Sequence, residues 1–177
     1  MNTRKRLLTM VAAVAMWTAI QPATVYAQTS GVGGDGYTRN FWYGTDCRIS
    51  VWKLDPNLNF VTSHDYGPYT GWCPIALTVA HDNNTYVLWR YYDNSISLWL
   101  LDPNLNYLNS HVYGPYAGFT AIGLSPYTDG TTNNFRVVWR YTDSSISVWT
   151  VDQNLNYITS RNYGPYFGWE PGSVILQ

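Results

Sequence analysis

Three stretches of this 177-residue chain are near copies of one another, and that repetition limits the fold more than any other feature. Leu88-Trp89-Arg90-Tyr91, Ser95-Ile96-Ser97-Leu98-Trp99, Tyr113-Gly114-Pro115-Tyr116 and Gly118-Phe119 return as Val138-Trp139-Arg140-Tyr141, Ser145-Ile146-Ser147-Val148-Trp149, Tyr163-Gly164-Pro165-Tyr166 and Gly168-Trp169. An earlier copy carries Trp42, Trp52, Tyr66-Gly67-Pro68-Tyr69 and Gly71-Trp72 at the same offsets. The spacing is 47 residues from Trp42 to Trp89 and 50 from Trp89 to Trp139. Self-similarity at this period marks a supersecondary unit that cannot bury its apolar face alone and must pack on its neighbours.

The unit reads as strands. Residues 86–91 are rich in β-formers, Tyr92-Asp93-Asn94-Ser95 is a turn, and residues 96–101 alternate with Ile96, Leu98 and Leu100 on one face. Asp102-Pro103-Asn104 turns the chain, residues 105–112 form a third strand, and residues 120–125 follow the Tyr-Gly-Pro-Tyr loop as a fourth. The expected class is therefore all-β, with three tandem four-stranded repeats at about 41–87, 88–137 and 138–177 in a single domain over 41–177. Fourth strands are expected at 75–80, 120–125 and 172–176, and the three extra residues of the longer spacing fall in a loop at 126–134. A β-trefoil uses three copies of such a unit, closed by a barrel, and is the favoured architecture. The alternative is three β-propeller blades, which close as a six-bladed dimer because propellers use four to eight blades. The trefoil implies a monomer and the propeller a dimer.

Residues 1–27 read as an address. Arg4, Lys5 and Arg6 precede an uncharged run from Leu7 to Ile20, and Val25-Tyr26-Ala27 offers small residues for cleavage, so the chain is expected to be secreted, extracellular or periplasmic. The run is short for a membrane span, so none is expected after cleavage. Gly-rich residues 28–40 read as a flexible lead-in. Without the leader, seven basic residues stand against eleven acidic ones, which leaves no basic patch to hold a phosphate backbone and argues against nucleic acid. Cys47 and Cys73, both in the first copy, are an even pair in an exported chain and are expected to form a disulfide.

The run of Trp, Asp, Ser and Trp, then Asn-Leu-Asn, then Tyr-Gly-Pro-Tyr-x-Gly-Trp resembles tandem aromatic repeats of secreted bacterial proteins. More loosely, it is similar to the Trp-bearing repeats of β-trefoil and β-propeller lectins. The QxW signature of ricin-type trefoils is absent, so no sugar-binding residue is carried over.

Function is narrowed from the residues themselves. The strand tryptophans Trp42, Trp89, Trp139, Trp52, Trp99 and Trp149 are expected to fill a repeated core, whereas aromatics in the Gly-Pro loops can face outward. An aromatic face meets the C–H side of a pyranose while carboxylate and guanidinium groups fix its hydroxyls. Candidate carbohydrate-binding residues are therefore Tyr69, Trp72, Tyr116, Phe119, Tyr166 and Trp169, with Asp46, Asp93, Asp143, Arg90 and Arg140 as polar partners. The competing roles are turn capping for the aspartates and pairing across the strand face for the arginines. Asp-x-Asn-x-Asn at Asp55, Asp102 and Asp152 opens like a calcium loop, but Phe60 and Tyr66 stand where the first would need Gly and Glu, so hairpin turns are preferred and no metal or other cofactor is expected. His64 and His111 follow serines on a strand and so point away from them, and no nucleophile elbow or phosphate loop is present, so the chain is expected not to be an enzyme. The leading expectation is a secreted, non-enzymatic glycan-binding module with up to three equivalent sites. The alternative is a structural, protein-interaction or inhibitor module that binds no sugar.

Overall fold

The computed structural model describes residues 28–128 and 132–169. The expected leader and the strand expected at 172–176 lie outside the described residues. The described residues form twelve strands: β1 (Gln28–Val32), β2 (Thr38–Tyr43), β3 (Ile49–Leu54), β4 (Phe60–Tyr66), β5 (Trp72–Val79), β6 (Thr85–Tyr91), β7 (Ile96–Leu101), β8 (Tyr107–Tyr113), β9 (Phe119–Thr128), β10 (Asn133–Tyr141), β11 (Ile146–Val151) and β12 (Tyr157–Tyr163). They make three antiparallel four-stranded sheets, β1-β2-β3-β4, β5-β6-β7-β8 and β9-β10-β11-β12, each a meander in chain order. The all-β class with three four-stranded units holds. Every ladder among the described strands lies inside one sheet.

The sheets start one strand earlier than the sequence copies. The strand expected to end the first copy is β5, and it pairs with β6 through Trp72↔Tyr91 and Val79↔Thr85. Sheet boundaries therefore fall at the Tyr-Gly-Pro-Tyr loops. The first sheet takes its opening strand from the segment expected to be a flexible lead-in, since β1 pairs with β2 from Gln28↔Phe41 to Val32↔Thr38. Its glycines serve a hairpin turn, in which the Gly36 amide donates to the Gly33 carbonyl. Asp35 stabilises that turn by accepting from the Tyr37 amide and, bidentately, from the fully buried Arg39 guanidinium at 2.9 Å. Much of the loop expected at 126–134 is also strand, because β9 and β10 run on as a long hairpin paired to Asn133↔Thr128.

Two families of tight turns repeat. After β2, β6 and β10 the turn closes with Cys47, Asn94 and Ser144 at φ of 64°, 68° and 68°. After β3, β7 and β11 it closes with Leu58, Leu105 and Leu155 at 66°, 69° and 71°. A non-glycine residue in the left-handed region needs local support, and aspartate supplies it. Asp102 Oδ1 accepts the Asn104 and Asn106 amides at 2.8 and 2.7 Å while Oδ2 accepts the Asn106 side-chain amide, and Asp55 and Asp152 repeat the arrangement.

The core lies between sheets. Phe41, Ile49, Val51 and Tyr66 of the first sheet pack on Val87, Trp89, Leu101 and Leu105 of the second. The other face of the second sheet, with Tyr86, Leu88, Ile96 and Leu98, packs on Phe135, Val137, Trp139 and Leu155 of the third. Alternation along β6 thus sends Val87 and Trp89 to one neighbour and Tyr86 and Leu88 to the other. The Cys47–Cys73 disulfide forms, with Cα atoms 4.7 Å apart. Because Cys73 lies in β5, the bond ties the first sheet to the second, although both cysteines belong to the first sequence copy. Among the described residues no helix is long and apolar enough to cross a membrane.

Candidate functional site

Each junction between sheets is built by a Tyr-Gly-Pro-Tyr-x-Gly loop. Gly67 and Gly114 take φ of 89° and 96°, their bonds to Pro68 and Pro115 are cis, and Gly71 and Gly118 follow at 83° and 80°. The Trp72 amide donates to the Tyr69 carbonyl at 2.9 Å and the Phe119 amide to the Tyr116 carbonyl at 3.1 Å, so each loop curls back before its next strand. The left-handed glycines have a second role, because a Cβ built on Gly71 or Gly118 would overlap the ring of Tyr91 or Tyr141.

The structure moves several expected site residues inward. Tyr69 packs edge-on to Trp89 at 5.4 Å and against Trp99 at 5.3 Å, and Tyr116 sits on Trp139 and Trp149 at 5.6 and 5.2 Å. These tyrosines wedge consecutive sheets together along one edge and still expose 39% and 36% of their surface. Trp72 leans on Tyr91 at 5.1 Å, and Phe119 on Tyr141 at 4.6 Å. Tyr166 and Trp169, at the end of the third sheet, are exposed. Among the strand tryptophans, Trp89 and Trp139 are fully buried as expected, but Trp42 and Trp52 are exposed.

Four of the eleven candidates meet in one cavity. At the junction of the first and second sheets a space of about 360 Å³ is lined by Asp46, Tyr69, Trp72 and Arg90, with Thr70, Tyr91 and Tyr92 completing the wall and the Cys47–Cys73 bond at its edge. Tyr91 and Tyr92 stack with centroids 4.0 Å apart, and Tyr92 is exposed. Sequence reading missed both. Tyr91 had a signal, since Tyr141 repeats it, but Tyr92 has none because Thr142 replaces it. The Asp46 carboxylate accepts from Arg48 Nε at 2.8 Å, and this guanidinium holds its pKa below the ordinary carboxylate range. Burial pushes the Arg90 guanidinium down, and its Nη1 donates to the Ala121 carbonyl of β9 at 3.4 Å, so Arg90 reaches from the first junction to the second.

At the second junction Tyr116 packs on Trp139 and Trp149, and Phe119 pairs with Tyr141 beside Thr120↔Arg140 in the third sheet. Asp93 and Asp143 each accept a turn amide at 2.7 Å, from Ser95 and Ser145, and Asp46 does the same for Arg48 at 3.3 Å. Hydrogen bonding to Ser145 holds the Asp143 carboxyl below its usual range. All three aspartates therefore shape turns, and of them Asp46 lines the cavity. The carboxylates of Asp55, Asp102 and Asp152 are committed to their own turns, and no cluster of three or more His, Cys, Asp or Glu arranged for a metal occurs among the described residues. His64 and His111 stack on Tyr66 and Tyr113 at 4.6 and 4.4 Å.

Comparison of the sequence with protein-family models and with curated proteins returned no match. Solved structures do match in fold. The SapL1 lectin, determined with alpha methyl fucoside, is 15% identical with a TM-score of 0.52 over 79% of this chain and 46% of its own. A triple arginine-to-alanine mutant of AofleA from Arthrobotrys oligospora is 10% identical with a TM-score of 0.50 over 79% of this chain and 41% of its own. The WD40 domain of SCAP from fission yeast is 15% identical with a TM-score of 0.45 over 79% and 34%. This chain spans less than half the length of each, and at these identities the likeness to the first two is one of fold, a fold that it shares with a lectin.

Proposed function

We propose that the chain is an exported, non-catalytic glycan-binding module whose sites are the junctions between consecutive sheets. The observation that carries this reading is the cavity in which the rings of Trp72, Tyr91 and Tyr92 stand beside the Arg90, Asp46 and Thr70 side chains. Aromatic faces next to a few hydrogen-bonding groups in a weakly charged setting suit the alternating C–H and hydroxyl surface of a neutral sugar. The fold shared with SapL1, whose structure holds a methyl fucoside, supports the same class of ligand. The disulfide and the leader-like N-terminus support export. Binding is favoured over cleavage because glycoside hydrolysis works with two facing carboxyls, and the one carboxylate of this cavity, Asp46, is already paired with Arg48.

A glycan array with the wild-type chain, followed by titration calorimetry on the best ligand, tests the reading. Trp72→Ala and Tyr92→Ala are each expected to weaken binding about tenfold, the equivalent of ~1.4 kcal/mol of lost ring contact. A wild-type chain that binds no glycan sinks the proposal and favours the protein-interaction alternative.

A further inference from the structure

The two junctions inside the chain share one design, and its two halves recur unmatched at the two ends. The preceding sheet supplies a plug. Tyr66 donates its hydroxyl to the Leu105 carbonyl, and Tyr113 donates to the Leu155 carbonyl at 2.5 Å. Tyr69 and Tyr116 then seat on the tryptophan pairs described above. The following sheet supplies a socket made of two tryptophans and the left-handed leucine of the next turn. Leu105 and Leu155, roofed in this way, are both 0% exposed.

The third sheet ends in the same plug, with no socket against it among the described residues. Tyr163, Tyr166 and Trp169 are exposed, and a Cβ built on Gly168 meets no atom within 4 Å, where Gly71 and Gly118 meet a tyrosine ring. Beside the plug the face of the third sheet opens as a groove of about 390 Å³ lined by Arg136, Val148, Arg161 and Tyr163. The first sheet carries the same socket, empty but already assembled. Trp42 lies 5.6 Å from Trp52, and Trp52 lies 5.4 Å from Phe60. The occupied sockets show Trp89–Trp99 at 5.1 Å with Trp99–Tyr107 at 5.1 Å, and Trp139–Trp149 at 4.8 Å with Trp149–Tyr157 at 5.1 Å. Leu58, the counterpart of Leu105 and Leu155, is 69% exposed, and Trp42 is 39% exposed against 1% for Trp89. Three positions depart from the pattern: Gly44, Tyr43 and Phe60 stand where the other sockets carry Tyr91 and Tyr141, Arg90 and Arg140, and Tyr107 and Tyr157.

These exposures show that the chain does not close on itself, since plug and socket of one copy would then bury each other. We propose that the third sheet of one copy docks on the first sheet of a second copy, head to tail, so that two copies form one closed ring of six sheets. The occupant is a second copy because the exposed plug repeats Tyr66/Tyr69 and Tyr113/Tyr116, and the exposed socket keeps the tryptophan pair and the left-handed leucine that such a plug covers at both junctions inside the chain. The number is two because closed rings of such sheets hold four to eight of them, and two copies of three sheets fall within that range. Heterologous contacts either close in this way or run on as fibres. The terminal loop with Asp143, Tyr166 and Trp169 is an incomplete junction in one copy, completed by Tyr43, Trp42 and Trp52 of the next. This inference stands whether or not the junctions bind sugar.

Sedimentation equilibrium on the purified chain at micromolar concentration tests it, with twice the single-chain mass expected. Leu58→Asp and Tyr166→Asp should each sediment as single chains with unchanged far-ultraviolet circular dichroism, because both side chains are exposed in one copy. In an isotope-mixed sample, a photoreactive phenylalanine analogue in place of Tyr166 should crosslink to the peptide around Trp42 or Trp52 of the differently labelled copy. A wild-type single chain throughout the micromolar range, a Leu58→Asp chain that stays dimeric, or crosslinks only from position 166 to itself would each overturn the proposal.

Discussion

At Gly118 one hydrogen atom in place of a methyl lets a junction close. A Cβ there would overlap the Tyr141 ring, and its φ of 80° is one that side chains other than glycine's rarely adopt. Gly168 has the same φ of 80° but open space around it. The pair separates backbone strain from steric conflict. Gly168→Ala is expected to cost about 1 kcal/mol in urea denaturation of single chains, the left-handed penalty alone. Gly118→Ala adds overpacking and should lose about 2–4 kcal/mol, unless Tyr141 swings away from Phe119. Equal losses at the two positions would show that Tyr141 yields freely. Residues such as these mark the limit of sequence reading. The Tyr-x-Gly-aromatic spacing was visible three times, but the tyrosine rings that meet Gly71 and Gly118 come from the next strand along the chain, whose register the repeat does not reveal. In the same way, Leu58, Leu105 and Leu155 look like strand residues by type, and their left-handed backbone follows from aspartate hydrogen bonds that local preference does not encode.

The strands were legible where alternation between apolar and polar residues is strong, as in residues 96–101, and their grouping into sheets was not. A tandem repeat of four strands has the same period wherever it is cut, so only the ladders decide that β5 opens the second sheet and does not close the first. The cysteines show the consequence, since a pair that lies within one sequence copy staples two sheets. With the two cysteines 26 positions apart, Cys47→Ser/Cys73→Ser is expected to lower stability by ~3–4 kcal/mol in the chain-entropy picture. The loss should concentrate at the first junction, where the disulfide borders the cavity. Turns carry a different dependence. Burial raises the Asp35 and Asp102 carboxyls, but hydrogen bonds from Arg39 and from Asn106 outweigh it, and Asn59 and Ser145 lower Asp55 and Asp143, so all four titrate below their usual values. A group whose folded pKa lies below its unfolded one contributes stability above the unfolded pKa and loses it as pH falls through the folded value. Urea midpoints should therefore be flat with respect to these groups above about pH 5 and fall steadily below about pH 4. A midpoint that rises on acidification through that window would contradict the turn assignments.

Among the described residues the main contacts between sheets join consecutive ones, β1 against β5 and β5 against β9 along the strands that open the sheets. Stability in such a stack is a sum of units and nearest-neighbour interfaces, and only the second sheet has two interfaces within one chain. Val87, Leu88, Ile96 and Leu98 are fully buried there, while Ile146 and Val148 of the third sheet, at the positions of Ile96 and Leu98, are only half-buried. Amide hydrogen exchange reads this order directly, since opening free energies range from near zero at frayed edges to the global value in the core. The amides of β6 and β7 are expected to exchange slowest, and those of β4 and β12, whose side chains are mostly exposed, fastest. Concentration then distinguishes single chain from ring. In a ring every sheet has two neighbours, so dilution below the dissociation constant should speed exchange in the first and third sheets and leave β6 and β7 nearly unchanged. Exchange that is uniform across the three sheets at every concentration would mean that the stack unfolds as one block, with its ends as well supported as its middle.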